Sequence, residues 1–212
     1  MAIQTMADVV QRVATVRENA LHHQRDLAKR FKIPLDDPPI SGLGICHNTA
    51  TLTLELLAFY NDIWRRIDPK TVQDVARARD ENAQRVMLVT KALYILALSG
   101  FEFAAKSALP LRPKKLALGG GRIYLGSIMG ASKDAKLISE GTYNLWSGAI
   151  ELRNTLVHNN GIADRTTTYQ FPDVKIELRQ GQMATDGLIF YAALTDWATQ
   201  SFQDWCIAFL SL

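Results

Sequence analysis

The sequence predicts a mainly all-α fold: a single helical domain over residues 1–212, built as a helical bundle with a small β-hairpin near 166–180. Three observations predict it. Apolar residues recur at three- and four-residue steps over most of the chain, the period of an amphipathic helix. The breaks between those stretches are rich in proline and glycine. Only 166–180 alternates apolar and polar residues in strand fashion.

Val9, Val10, Val13, Val16, Leu21, Leu27 and Phe31 place one long helix over the start of the chain. Pro34, Pro38 and Pro39, with Asp36 and Asp37, predict a stiff loop after it. Asn48 or Thr49 is expected to cap a second helix through Leu52, Leu56, Phe59, Ile63 and Ile67. Asp68-Pro69, an N-cap followed by proline at the first helical position, predicts the start of a third. Pro110 ends that helix, and Gly100 marks a candidate bend. From Pro110 to Ser132 the residues Pro113, Gly119 to Gly121, Gly126 and Gly130 read as a loop with one short helical turn. Helix resumes near Ser132 or Ser139 and runs to about Asn159. Tyr169, Phe171, Val174, Ile176 and Leu178 form the alternating stretch, with Pro172-Asp173 as its turn. Thr185 or Asp186 is expected to cap a last helix carrying Leu188, Ala192, Leu194, Trp197, Trp205 and Phe209.

With 212 residues, 48% of them hydrophobic, the chain can bury a sizeable core and is far from disordered composition. A formal net charge of +3 permits a polyanionic partner without demanding one. Cys46 and Cys206 lie far apart and form no CxxC pair, so a reducing, cytoplasmic setting is expected. Residues 1–11 have no apolar signal-peptide core. The longest apolar run, Ala92 to Phe101, is about half of the roughly 20 residues a bilayer span needs. It reads as a buried helix segment, with no membrane partner.

The segment that carries chemistry is Leu145 to Gly161, whose motif helix is predicted over about 139–159. Leu145, Ala149, Leu152 and Leu156 share one stripe and should face the core. Trp146, Ile150 and Val157 form a second apolar stripe that also holds Arg153, which predicts a helix covered on two sides. Ser147, Glu151, Asn154 and His158 form a polar stripe. Asn154 and His158 are i,i+4 neighbours, so the amide is placed to orient the imidazole. Gly161 predicts the stop, which puts His158 in the last turn. Arg153 and His158 stand five positions apart, so they point about 140° apart on one straight helix. Two such helices across a dimer axis would pool both pairs in one cleft.

At these residues the sequence resembles the HEPN superfamily of helical domains, whose ribonuclease branch carries an arginine, four to six residues and a histidine. Here the match is Arg153-Asn154-Thr-Leu-Val-His158, followed by Asn159-Asn160-Gly161, and it is local to roughly residues 139–164. The resemblance implies a homodimeric endoribonuclease, often a toxin or antiviral defence effector, that needs no metal or other cofactor. It also implies Arg153, Asn154 and His158 as the catalytic residues and RNA as the partner. The homodimer would form through the Leu145–Asn159 helix, with an antitoxin or regulatory protein as a possible further partner. The alternative, from a different class, is a non-catalytic HEPN-like RNA-binding or interaction module. In that case Arg153 pairs with a carboxylate on Glu151 or a partner helix, and His158 caps a helix end.

Glu102 and Lys106, one turn apart on the apolar third helix, are candidates to approach the cleft, or else an ordinary surface i,i+4 pair. Arg112, Lys114, Lys115 and Arg122 flank the glycine-rich loop and are candidates to follow an RNA backbone. Cys46-His47 lacks zinc-ligand spacing. His22-His23, on the charged first helix, reads as surface. No GxxxxGK[ST], GxGxxG, GxSxG or HExxH motif is present.

Overall fold

The computed structural model describes residues 5–68, 70, 72–111, 116, 118, 122–184 and 187–212. Its elements are α1 (Met6–Phe31), α2 (Pro38–Arg66), α3 (Val75–Ala108), a 3-10 turn (Leu109–Leu111), α4 (Leu125–Asp134) and α5 (Glu140–His158). The strands β1 (Thr167–Gln170) and β2 (Lys175–Leu178) and the helix α6 (Phe190–Ser211) follow. The predicted class holds: a mainly α-helical chain with one antiparallel hairpin pairing Thr167 with Leu178 and Gln170 with Lys175.

α1 starts where Thr5 and Asp8 cap each other reciprocally, the Asp8 amide donating to Thr5 Oγ1 at 3.2 Å. Its buried stripe is Val9, Val13, Val16, Ala20, His23 and Leu27. The expectation that both His22 and His23 are surface residues is therefore half wrong. Steps of four and three bring His23 into the core stripe, leaving it 8% exposed, while His22 faces solvent beside Asp26. Burial, then the neighbouring His22, lowers the His23 pKa, against weaker support from Gln200, Asp204 and Asp26. A folded-state value below the ordinary 6.5 means the unfolded chain takes up the proton more readily. The stability His23 contributes is thus complete above 6.5 and falls as pH drops below it. Wild type is expected to lose more melting temperature between pH 7 and pH 5 than His23→Leu, read by thermal melts of both at the two pH values.

α2 begins eleven residues earlier than an Asn48 cap suggests. Asp37-Pro38-Pro39 is itself a start signal, with prolines in the first turn, where no amide is needed as a donor. Within α2, Gly42 allows close approach: a Cβ there would meet Ala104 Cβ at 3.0 Å and Phe202 Cε1 at 3.1 Å. Gly100 serves the same purpose rather than bending α3, for an added Cβ would lie 2.7 Å from Ile45 Cγ2. α3 starts later than Asp68 predicts. Asp68 accepts from the Lys70 amide on Oδ1 and from the Val72 amide on its carbonyl without starting a helix, and Asp74 caps α3 by accepting from the Arg77 amide at 2.9 Å. Pro69, like the expected caps Thr185 and Asp186, lies outside the described residues.

Residue pairings fix the directions of the helices. α2 runs antiparallel to α3, since Gly42 meets Ala104 while Asn82 donates to the Tyr60 carbonyl. Cys46 contacts Thr199 and Cys206 contacts Pro39, so α6 also opposes α2 and therefore runs parallel to α3. Two parallel neighbours need a crossover, and here the crossover contains α4, α5 and the hairpin. These pack as a second layer on the α3–α6 side of the bundle.

The core between the layers is aromatic. Phe101 stacks on Phe202 at 4.4 Å, and Trp205 continues the stack to Phe209 at 4.9 Å. Burying each such ring stabilises the fold by roughly 1.5–3 kcal/mol relative to exposure. Trp205 also donates to Ser132 Oγ at 2.9 Å, which pins α4 to α6. Among the described residues one helical stretch, Val75–Leu111, is long and apolar enough to cross a membrane, and its buried face, Leu93, Tyr94, Ala97 and Phe101 included, packs inside the bundle.

Candidate functional site

α5 is seated by its own sequence. Ser139 caps it, accepting from the Thr142 amide at 3.0 Å. Trp146 is fully buried between Phe101 and Trp197, with centroids at 6.5 and 5.2 Å, and Tyr94 donates to the Ala149 carbonyl at 2.6 Å. Ala149, Leu152 and Leu156 are buried as expected, whereas Leu145 is only half-buried. The second apolar stripe is covered at its N-terminal end and bare at the other, where Val157 is 42% exposed. The helix stops at His158. Asn160 takes φ 51° and Gly161 φ 83°, and the Gly161 amide returns to the Thr155 carbonyl at 2.9 Å.

Arg153 and His158 do not need a second helix to face one space. With Asn154 they line one cavity of about 490 Å³, completed by Leu98 and Glu102 of α3, by Tyr124 before α4, and by the first turn of α4. The length of the arginine side chain makes up for the angle between the two positions. Its Nη2 donates to Ser99 Oγ at 3.1 Å and its Nη1 to Asn154 Oδ1 at 3.2 Å, with Glu102 Oε2 3.9 Å away. Asn154 thus accepts from the arginine. Among the described residues it does not hydrogen-bond His158, so the expected orientation of the imidazole by the amide is absent. His158 is exposed at the rim, and no hydrogen bond to it is present among the described residues.

The contrast with Arg165 shows what is special about Arg153. Arg165 forms a two-pronged pair with Glu151, at 2.6 and 2.7 Å, and Tyr169 adds a third bond to the same carboxylate. The Arg165 hydrogen bonds lower the Glu151 pKa, and Arg165's own is raised by that carboxylate. Both groups are committed to holding the hairpin on α5. Arg153 is not spent in this way: its nearest carboxylate stands at 3.9 Å, and its buried Nε–H has no acceptor among the described residues. A guanidinium held in place with donors to spare can grip an oxyanion.

The remaining expected residues divide. Glu102 reaches the cavity. Lys106 bonds Glu102 and lies over the Tyr124 ring at 5.2 Å, so it stands behind the wall. Arg122 is exposed ahead of α4, and Arg112, Lys114 and Lys115 lie outside the described residues, as do Gly119 to Gly121. Sequence reasoning missed α4 as a wall, along with Ser99 and Tyr124. The signal was there: Leu125, Ile128, Met129 and Ser132 recur at helical steps and are buried, behind an opening where the Tyr124 amide donates to Ser127 Oγ at 3.0 Å. Gly126 and Gly130 masked it.

Fold and site together define a helical bundle whose crossover layer presents an arginine, an asparagine and a histidine to one cavity. Compared with models of protein families, with curated proteins and with solved structures, the chain matches none.

Proposed function

We propose that this chain is a HEPN-type, metal-independent endoribonuclease in which Arg153, Asn154 and His158 act on one phosphodiester. One observation supports the reading above the others: these three side chains line a single cavity, with Arg153 fixed yet unsaturated and His158 unbonded at the rim. RNA brings its own nucleophile. His158 takes the 2′-hydroxyl proton, and the 2′-oxygen attacks the adjacent phosphorus as the bond to the 5′-oxygen breaks. Arg153 holds the phosphate and offsets the charge growing on its oxygens, and Asn154 keeps the guanidinium aimed. The products are a 2′,3′-cyclic phosphate and a 5′-hydroxyl. A second copy laid against the exposed Asn154–Val157–His158 edge of α5 would bring a second imidazole to protonate the departing oxygen. On this reading the protein is a cytoplasmic toxin or defence effector, restrained by an antitoxin or other regulatory protein.

The Glu102–Arg153 approach favours a second reading, a non-catalytic RNA-binding or interaction module of the same fold, in which Arg153 serves mainly to join α5 to α3. Cleavage itself separates the two, and a variant at the cavity wall tests whether this cavity performs it. A Cβ at Gly126 would meet only Ile150 Cδ1, at 3.9 Å, so a large side chain there projects into open space. Gly126→Phe is expected to slow cleavage of a labelled RNA about a hundredfold by displacing the substrate, at unchanged melting temperature. Equal rates would remove this cavity from the reaction.

A further inference from the structure

A second cavity of about 490 Å³ adjoins the first, the two sharing Gly126, Ile150 and Asn154 as their common wall. Its chemistry is opposite. The charged residues lining it are Glu151, Asp164 and Arg165, and Glu151 with Arg165 neutralise each other as the close pair described above. What remains is the Asp164 carboxylate, which repels a phosphate and welcomes N–H donors. Asp164 Oδ2 accepts from Asn159 Nδ2 at 2.6 Å, leaving Oδ1 unbonded among the described residues and the second Asn159 amide hydrogen uncommitted. Across the cavity the Tyr143 ring, Met129 and Ile150 offer an apolar surface for a flat ring.

We propose that this second cavity is a nucleobase subsite that takes guanine, an inference that rests on reading RNA as the substrate of the first. A base next to the phosphate held by Arg153 would reach past Asn154 into it. Guanine alone among the four bases presents two adjacent N–H donors beside a carbonyl on its pairing edge. A carboxylate flanked by an amide N–H is the complement: Asp164 Oδ1 accepts from N1–H and the 2-amino group, and Asn159 Nδ2 donates to O6. Adenine and cytosine offer one amino donor next to an acceptor nitrogen, and uracil one N–H between two carbonyls. Each leaves part of the carboxylate–amide pair unmatched, the condition under which polar recognition discriminates most.

The test separates binding from cleavage. In the His158→Ala chain, affinities are measured by fluorescence anisotropy for two short oligoribonucleotides that differ at one position, guanosine in one and inosine, which lacks the 2-amino group, in the other. The guanosine oligonucleotide is expected to bind about tenfold more tightly. Adding Asp164→Asn should bring the ratio to near one, weakening the guanosine complex more than the inosine complex, which loses only its N1–H contact to the carboxylate. Circular dichroism checks that this double variant remains folded, and Asp164→Glu, which keeps the carboxylate, should retain part of the preference. Equal binding of the two oligonucleotides, binding of neither, or a ratio that survives Asp164→Asn overturns the subsite. Cleavage of RNA by the wild-type chain without guanosine preference would overturn the subsite alone, whereas absence of cleavage overturns the nuclease reading itself.

Discussion

His158→Ala is expected to slow RNA cleavage by about 10²- to 10⁴-fold, the usual contribution of a positioned general base. It should leave the fold untouched. His158 is exposed in the last turn of α5, its imidazole makes no hydrogen bond among the described residues, and it fills no core position. A histidine that merely finishes a helix would show the reverse pattern, a small loss of stability with no change in rate. Initial rates on a labelled RNA, taken with thermal melts at matched protein concentration, read both quantities. A variant that cuts as fast as wild type removes His158 from the chemistry.

Gly148→Val is expected to destabilise the chain by roughly 1–3 kcal/mol, the range for forcing volume into a filled site. A Cβ at Gly148 would stand 2.7 and 2.8 Å from the Tyr169 ring carbons Cδ2 and Cδ1, closer than side chains tolerate. The ring cannot step aside cheaply, because its hydroxyl is bonded to Glu151 and its backbone lies in β1. The hairpin as a whole must lift, taking the Arg165–Glu151 pair with it. Denaturant unfolding gives the energy, and limited proteolysis between residues 163 and 183 reports the hairpin. Unchanged stability together with a protected hairpin would show that Tyr169 does not pack on this glycine.

Much of this architecture was legible because burial follows period. The stripes of α1, α5 and α6 and the alternation of Tyr169, Ile176 and Leu178 place their elements within a few residues. What failed did so for identifiable reasons. Pro38 and Pro39 suggest a loop where, after Asp37, they open a helix; Gly100 suggests a bend where α3 approaches α2 closely, and Gly126 suggests a loop where it sits in the first turn of α4. The site was legible as residues but not as geometry. Arg153, Asn154 and His158 are marked by the local motif resemblance, yet the wall formed by Leu98, Glu102 and Tyr124 comes from elements distant in sequence. Nor can spacing tell that Glu151 belongs to Arg165, fourteen residues on, and so leaves Arg153 available.

The most direct test of the cavity as a phosphodiester-cleaving site is the chemistry of the cut ends. An end-labelled RNA is incubated with the wild-type chain in EDTA, and the products are resolved against standards before and after treatment with a phosphatase that spares cyclic phosphates. Cleavage is expected to leave 2′,3′-cyclic phosphate and 5′-hydroxyl ends. No cleavage, or cleavage that requires added divalent ions and leaves 5′-phosphates, would contradict it.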